Sequence, residues 1–184
     1  MTETPTRVVI LLGSLRAESS NRRIAERLRA EAPAGVSVEI ASHLGELPFY
    51  NEELEGDVVP AAVRTLREQV GRADRVLAVT PEYNGTMPAV LNNAIDWLSR
   101  PYGQGAIAGK PFGVVGVTPT PYGGKWAHED TQKSAKIAGA IVVEDVTVSQ
   151  TSIDVDVLND PEVQGKLRGA LDTLVAFAPE TSAA

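Results

Sequence analysis

The chain contains no cysteine and only two histidines, His43 and His128, in 184 residues. Without cysteine there is no disulfide, thiolate metal site, iron–sulfur cluster or cysteine nucleophile. Two isolated histidines cannot build a three-histidine zinc site, nor the pair spaced four apart that a helical metal site uses. Long apolar runs are missing too: Val8–Leu12 and Leu174–Ala178 stop at five residues, whereas a membrane span needs about 20. The opening MTETPTR has no basic start leading into an apolar stretch, so no secretory signal is expected and a cytoplasmic location is. Basic residues number 17 against 24 acidic, for a net charge of −7. That balance argues against nucleic acid as the main partner, since phosphate backbones require a basic surface. Most side-chain catalytic machinery is therefore excluded, and an enzyme built on this chain would borrow its chemistry from a cofactor.

What is present is a regular alternation of apolar runs and amphipathic stretches. Val8–Leu12 reads as a central parallel strand covered on both faces, and Val36, Val38 and Ile40 as an edge strand with one wetter face. Val76–Val79, Phe112–Val117 and Ile141–Val148 supply three more strands, rich in β-branched residues. Between them, Ile24 and Leu28 mark a helix with Ser20 or Asn21 as its N-cap. Val63, Leu66 and Val70 mark a second helix after Pro60, and Leu91, Ala94, Ile95 and Leu98 a third after Pro88. Thr131–Ala138 reads as a weaker helix, and a last one starts near Asp160-Pro161 and carries Leu167, Leu171, Leu174 and Val175. Strand–helix alternation implies an α/β fold with helices on both faces of a five-stranded parallel sheet. The strand order expected at this length is 2-1-3-4-5, the flavodoxin-like arrangement. One domain spanning 1–184 is expected, with 1–6 and 179–184 as frayed ends.

In such sheets ligands bind beyond the carboxyl ends of the strands, so the loops after strands one, three and four should carry the function. The first loop, Gly13 to Asn21, offers Ser14, Arg16, Ser19, Ser20 and Asn21 at a helix N-terminus. Hydroxyls, a guanidinium and unpaired backbone N–H groups suit a single phosphate monoester. It matches neither a dinucleotide fingerprint nor an NTP-binding P-loop. The second loop holds Pro81, Glu82, Tyr83, Asn84 and Gly85, a rigid turn able to aim backbone N–H groups at the edge of a flat heterocycle. The third runs from Thr118 through Pro119, Thr120, Pro121 and Tyr122 to Gly123 and Gly124, and is the least informative taken by itself.

These residues resemble the NAD(P)H-dependent FMN reductases, a flavodoxin-like family that includes quinone, chromate and azo-dye reductases. The match runs from about Val8 to Val143. Its first signature, Gly-Ser-x-Arg-x-x-Ser-x-Asn, falls on Gly13, Ser14, Arg16, Ser19 and Asn21. Its second covers Pro81 to Gly85, Pro88, and Leu91-x-Asn93-Ala94-Ile95-Asp96-Trp97. The stretch Leu47 to Glu53 is similar to the family's loop after strand two. The resemblance implies bound FMN, with its phosphate on Ser14, Arg16, Ser19, Ser20 and Asn21 and its ring against Pro81 to Gly85. It also implies NADPH or NADH as co-substrate, a small-molecule acceptor, and a homodimer or tetramer with Tyr50 or Asn51 facing a partner's site. The third loop departs from the family's Ser-x-Gly-x-x-Gly-Gly: Thr118 keeps a hydroxyl, Thr120 replaces a glycine, and two prolines stiffen the path. The family's Leu-Arg pair is absent from the next helix, which reads Thr131-Gln132-Lys133-Ser134.

The reaction implied is hydride transfer from nicotinamide to flavin, then electron delivery to flavin, quinone, chromate or azo acceptors. A flavodoxin-like electron carrier and an FMN-bound redox sensor without turnover are the alternatives. No catalytic acid–base residue and no metal ligand is assigned. His43 and His128 read as surface residues, Glu52-Glu53 as a solvated pair, and Trp97 as core or subunit-interface packing. Glu82 reads equally as a ligand contact or a solvated or cap-bonded carboxylate, while Tyr122 and Trp126 are candidates for the site entrance.

Overall fold

Five parallel strands form one sheet in the order β2-β1-β3-β4-β5, in a computed structural model that describes residues 4–56 and 59–179. In chain order these are β1 (Thr6–Leu12), β2 (Val36–Ile40), β3 (Arg75–Val79), β4 (Pro111–Thr118) and β5 (Ile141–Thr151). Five α-helices join them: α1 (Ser20–Ala30), α2 (Ala61–Arg72), α3 (Ala89–Leu98), α4 (Lys125–Ile137) and α5 (Pro161–Ala176). The α/β class, parallel sheet and strand order therefore agree with the sequence. Of the expected frayed ends, 1–3 and 180–184 lie outside the described residues. Thr6 is already paired, its N–H bonding the Gly35 carbonyl at 2.9 Å.

Period-two alternation divides the strand side chains between two cores. Val9, Leu11, Val76, Ala78, Phe112 and Val114 face one side, against Val63, Leu66, Leu91, Ile95 and Trp97 of α2 and α3. Val8, Ile10, Leu12, Leu77, Val79, Val115 and Val117 face the other, against Ile24, Leu28, Leu167 and Leu174 of α1 and α5. This double burial is why β1, β3 and β4 read as continuous apolar runs. At the edge, β2 buries Val38 and exposes Ser37 and Glu39.

Boundaries moved where polar chemistry outweighed the apolar pattern. Helix α4 begins six residues before the expected Thr131, because Gly124 takes a left-handed φ of 89° and starts it at Lys125. Its first turns bury only Ala127 and His128, so no apolar stripe advertises them. Strand β5 runs on to Thr151 rather than Val148. Helix α1 is capped at Ser19, not at Ser20 or Asn21, and Ser19 makes no side-chain capping bond.

The Leu91–Trp97 motif has a structural use. Asn93 accepts from the Tyr50 N–H at 2.8 Å and donates to the Pro48 carbonyl at 3.0 Å, and the Trp97 indole donates to the same carbonyl at 2.8 Å. The Tyr50 ring meets Trp97 edge-on at 5.1 Å, and its hydroxyl accepts from Arg100 at 3.1 Å. Trp97 is thus a core residue that pins the loop after β2. Glu52 and Glu53 stay exposed in a 3₁₀ turn over Glu52–Glu55, as expected.

Candidate functional site

A cleft of about 490 Å³ opens at the carboxyl ends of the strands, lined by the three loops singled out in the sequence. Ser14, Arg16, Ser19, Ser20 and Asn21 come from the first loop, Pro81, Glu82 and Tyr83 from the second, and Thr118 from the third. Val117, Pro119, Thr120 and Ser152 also line it. Asn84, Gly85, Gly123 and Gly124 do not; they shape the turns behind the wall. Asn84 and Gly85 adopt φ of 54° and 72°, with Tyr83 and Thr86 paired across them. Positive φ at both central positions is the geometry for which Asn-Gly is favoured. Gly123 must stay small, since a Cβ there would stand 2.8 Å from the Ser149 carbonyl oxygen.

The half of the cleft that could hold an anion is the N-terminus of α1. Helix starts leave backbone N–H groups unpaired and carry a partial positive charge. Ser14 and Ser19 are both 3% exposed, so their hydroxyls sit at a surface already largely desolvated. Arg16 is exposed and forms no ion pair among the described residues. Opposite them, the Thr120 hydroxyl is buried with no hydrogen-bond partner. A buried orphan hydroxyl costs about 1–3 kcal/mol, a cost that a polar ligand group reaching it would relieve. Hydroxyls, a free guanidinium and a helix N-terminus are the donor set a phosphate monoester needs. The residues therefore fit FMN.

Two members of the expected set spend their side chains on the scaffold. The Asn21 amide donates to the Val117 carbonyl at 2.8 Å and accepts from the Val117 N–H at 2.9 Å. The physical reason lies in the ladder. Thr80 makes the last β3-to-β4 bond, its N–H to the Val115 carbonyl at 3.0 Å, after which the chain turns away. Val117, two residues on, presents its groups to the same side, and the Asn21 side chain takes the place of the missing strand. What Asn21 retains for an anion is its backbone N–H. Glu82 likewise accepts from the Trp126 and Ala127 N–H groups at 3.1 and 3.2 Å. It caps α4 because the N-cap residue, Gly124, has no side chain to do so.

His128 corrects the expectation of a surface residue: it is 1% exposed. Its Nδ1 lies 2.7 Å from the Ser149 hydroxyl and its Nε2 3.4 Å from the Thr80 carbonyl oxygen. A carbonyl only accepts, so Nε2 carries the hydrogen and Nδ1 accepts from Ser149. Burial pushes its pKa down to about 4, the Thr80 carbonyl opposing in part. It is a neutral strut beneath the second and third loops. His43, by contrast, is exposed as expected.

The sequence profile of the NADPH-dependent FMN reductase family matches residues 6–153, which span all three loops. The chain belongs to this family. It is an oxidoreductase of the kind that uses FMN and NAD(P)H. It is 46% identical over 127 residues to a quinone reductase of Pseudomonas putida, an alignment covering 69% of this chain and 68% of that protein. It is 44% identical over 117 residues to a quinone reductase of Escherichia coli K12, covering 59% and 62% of the two chains. Among solved structures it is similar to FerB, a flavoenzyme NAD(P)H:(acceptor) oxidoreductase from Paracoccus denitrificans. That likeness has 31% identity and a TM-score of 0.81, and covers 92% of this chain and 95% of the other. Open parallel sheets of this order bind ligands at the switch point beyond the carboxyl ends of β1 and β3, where the cleft described above lies. Among the described residues no helix is long and apolar enough to cross a membrane, and no cluster of potential metal ligands occurs.

Sequence reasoning missed Thr120 and Ser152 as lining residues. Thr120 stands where the family's usual residue has no hydroxyl. Ser152 follows β5 and belongs to no motif, and is drawn in by its N–H bond to the Thr118 carbonyl at 3.0 Å.

Proposed function

We propose that the cleft holds FMN with its phosphate on the first loop, and that the enzyme passes electrons from NADPH or NADH to small-molecule acceptors, quinones foremost. Bound FMN would supply the hydride-accepting and electron-donating chemistry. Ser14, Ser19 and Ser20 contribute hydroxyls, Arg16 a charged fork, and α1 its unpaired N–H groups to the phosphate. Pro81, Glu82 and Tyr83 present the second loop to the ring edge, where the Glu82 backbone N–H, outside the Tyr83–Thr86 pairing, would stabilise negative charge. Thr118, Thr120, Gly123 and Gly124 form the opposing wall and its turn. Glu82 is committed to α4, so no acid–base role falls to it.

The carrying observation is the unpartnered donor set of the first loop, facing the buried Thr120 hydroxyl. The names of the relatives, quinone reductases among them, support quinone-type acceptors, and the reading extends to flavin, chromate and azo compounds. The reading includes a cytoplasmic homodimer or tetramer. In support, Tyr102 and Ile137 are 87% and 76% exposed and line one groove.

Anaerobic stopped-flow tests the reading. FMN-loaded protein is expected to lose its yellow colour with NADPH or NADH and regain it when a quinone is added. Protein that takes up no FMN refutes the proposal, and bound flavin that neither nicotinamide reduces points to the electron carrier.

A further inference from the structure

The geometry points to Tyr122 and Trp126 as an aromatic shelf that makes the enzyme select planar aromatic acceptors over compact oxyanions. The inference rests on the reading above, in which FMN occupies the cleft. Aromatic residues make up only 5% of the chain, yet Tyr83, Tyr122 and Trp126 gather at this one place, 52%, 58% and 43% exposed. Tyr122 and Trp126 lie with ring centroids 4.5 Å apart at a tilt of 41°. Two tilted, half-exposed rings in contact leave open an aromatic face that suits another flat ring.

The shelf adjoins the cleft and is fixed to it. Trp126 belongs to the turn of α4 whose N–H groups are held by Glu82, a residue of the cleft wall. The Thr86 hydroxyl donates to the Asp130 carboxylate at 2.7 Å, a second tie between the 83–86 hairpin and α4. A Cβ added to Gly85 would stand 3.9 Å from the Trp126 ring, so the hairpin passes close beside the shelf. Tyr122 follows Pro119, Thr120 and Pro121, two of which line the cleft and two of which restrict the backbone.

Charge supplies the other half of the selection. Glu82, bonded to the Trp126 N–H, and Asp130, bonded to Thr86, lie beside the shelf, and Lys125 next to Trp126 is paired with Glu129 at 3.7 Å. A dianion such as chromate meets repulsion here, whereas a neutral quinone does not. The reaction served is quinone plus NAD(P)H plus one proton to hydroquinone plus NAD(P)⁺. The nicotinamide is oxidised by loss of a hydride, and the two quinone carbonyls become hydroxyls with one further proton from water.

The test compares FMN-loaded wild type with Trp126→Ala, Tyr122→Ala and Trp126→Phe, using menadione and chromate as acceptors. Each alanine variant is expected to lower the menadione-to-chromate ratio of kcat/KM about tenfold, through a raised menadione KM, with Trp126→Phe restoring most of it. Menadione added to the oxidised enzyme without nicotinamide should quench tryptophan emission, and Trp126→Phe should remove that signal, because Trp97 is fully buried. Active variants with an unchanged ratio and unchanged quenching overturn the shelf while leaving the flavin reading intact. Loss of FMN binding by the wild type itself would overturn the flavin reading instead.

Discussion

Acidification should destabilise this protein in part through His128. The imidazole is neutral when folded, with a pKa of about 4 against 6.5 unfolded. Above pH 6.5 neither state binds the proton and the residue has no pH-dependent effect. As the pH falls from 6.5 toward 4, only the unfolded chain takes up the proton, so folding stability is lost across that window. Below pH 4 the folded state is protonated too and the loss levels off. At about 1.36 kcal/mol per pH unit, the loss is about 2 kcal/mol at pH 5 and about 3 kcal/mol at pH 4. His128→Gln keeps the volume roughly and removes the proton site. Urea unfolding followed by circular dichroism at pH 7, 6, 5 and 4 should therefore show a shallower acid slope in the variant. The difference between the two proteins isolates His128 from the carboxylates that titrate in both. Identical slopes would refute a neutral, buried imidazole.

Two further substitutions probe the frame of the cleft. Asn21→Ala strips both hydrogen bonds from the buried Val117 backbone and should cost about 2–6 kcal/mol by thermal or urea unfolding, at about 1–3 kcal/mol per orphaned group. A change under 0.5 kcal/mol would contradict its role as a surrogate strand. Gly116→Ala would place a Cβ 1.9 Å from the Thr80 carbonyl oxygen, a main-chain atom that cannot step aside, and should lower stability by about 3 kcal/mol or more. Normal yield and an unchanged Tm would show that β3 and β4 pack less closely there.

The fold was legible because its strands are buried on both faces, so β1, β3 and β4 announce themselves as unbroken apolar runs. The three loops were legible because a parallel sheet dictates where ligands bind before any residue is named. What stayed hidden depends on partners distant in sequence. Asn21 reads as a cap or an anion ligand from its neighbours, yet its amide serves a strand end 96 residues away. Glu82 reads equally as a ligand contact or as a solvated or cap-bonded carboxylate, and only the arrival of α4 decides for the cap. His128 looks like a surface residue because polar neighbours surround it in sequence, although Thr80 and Ser149 enclose it in space. The start of α4 was missed for the same reason, since a glycine cap and a remote carboxylate define it rather than a hydrophobic stripe. Thr120 and Ser152 carry no signal beyond being hydroxyls in a loop, and only burial distinguishes them.

The central claim is that the first loop grips a phosphate monoester, and the direct test is the affinity of FMN relative to riboflavin, which lacks that phosphate. Fluorescence titration of wild type and Arg16→Ala gives the four dissociation constants needed. Charge-assisted hydrogen bonds contribute about 1.5–3 kcal/mol, so the variant should bind FMN about 10- to 100-fold more weakly and riboflavin unchanged. Equal affinity of the wild type for FMN and riboflavin, or an equal loss for both in the variant, would contradict the account.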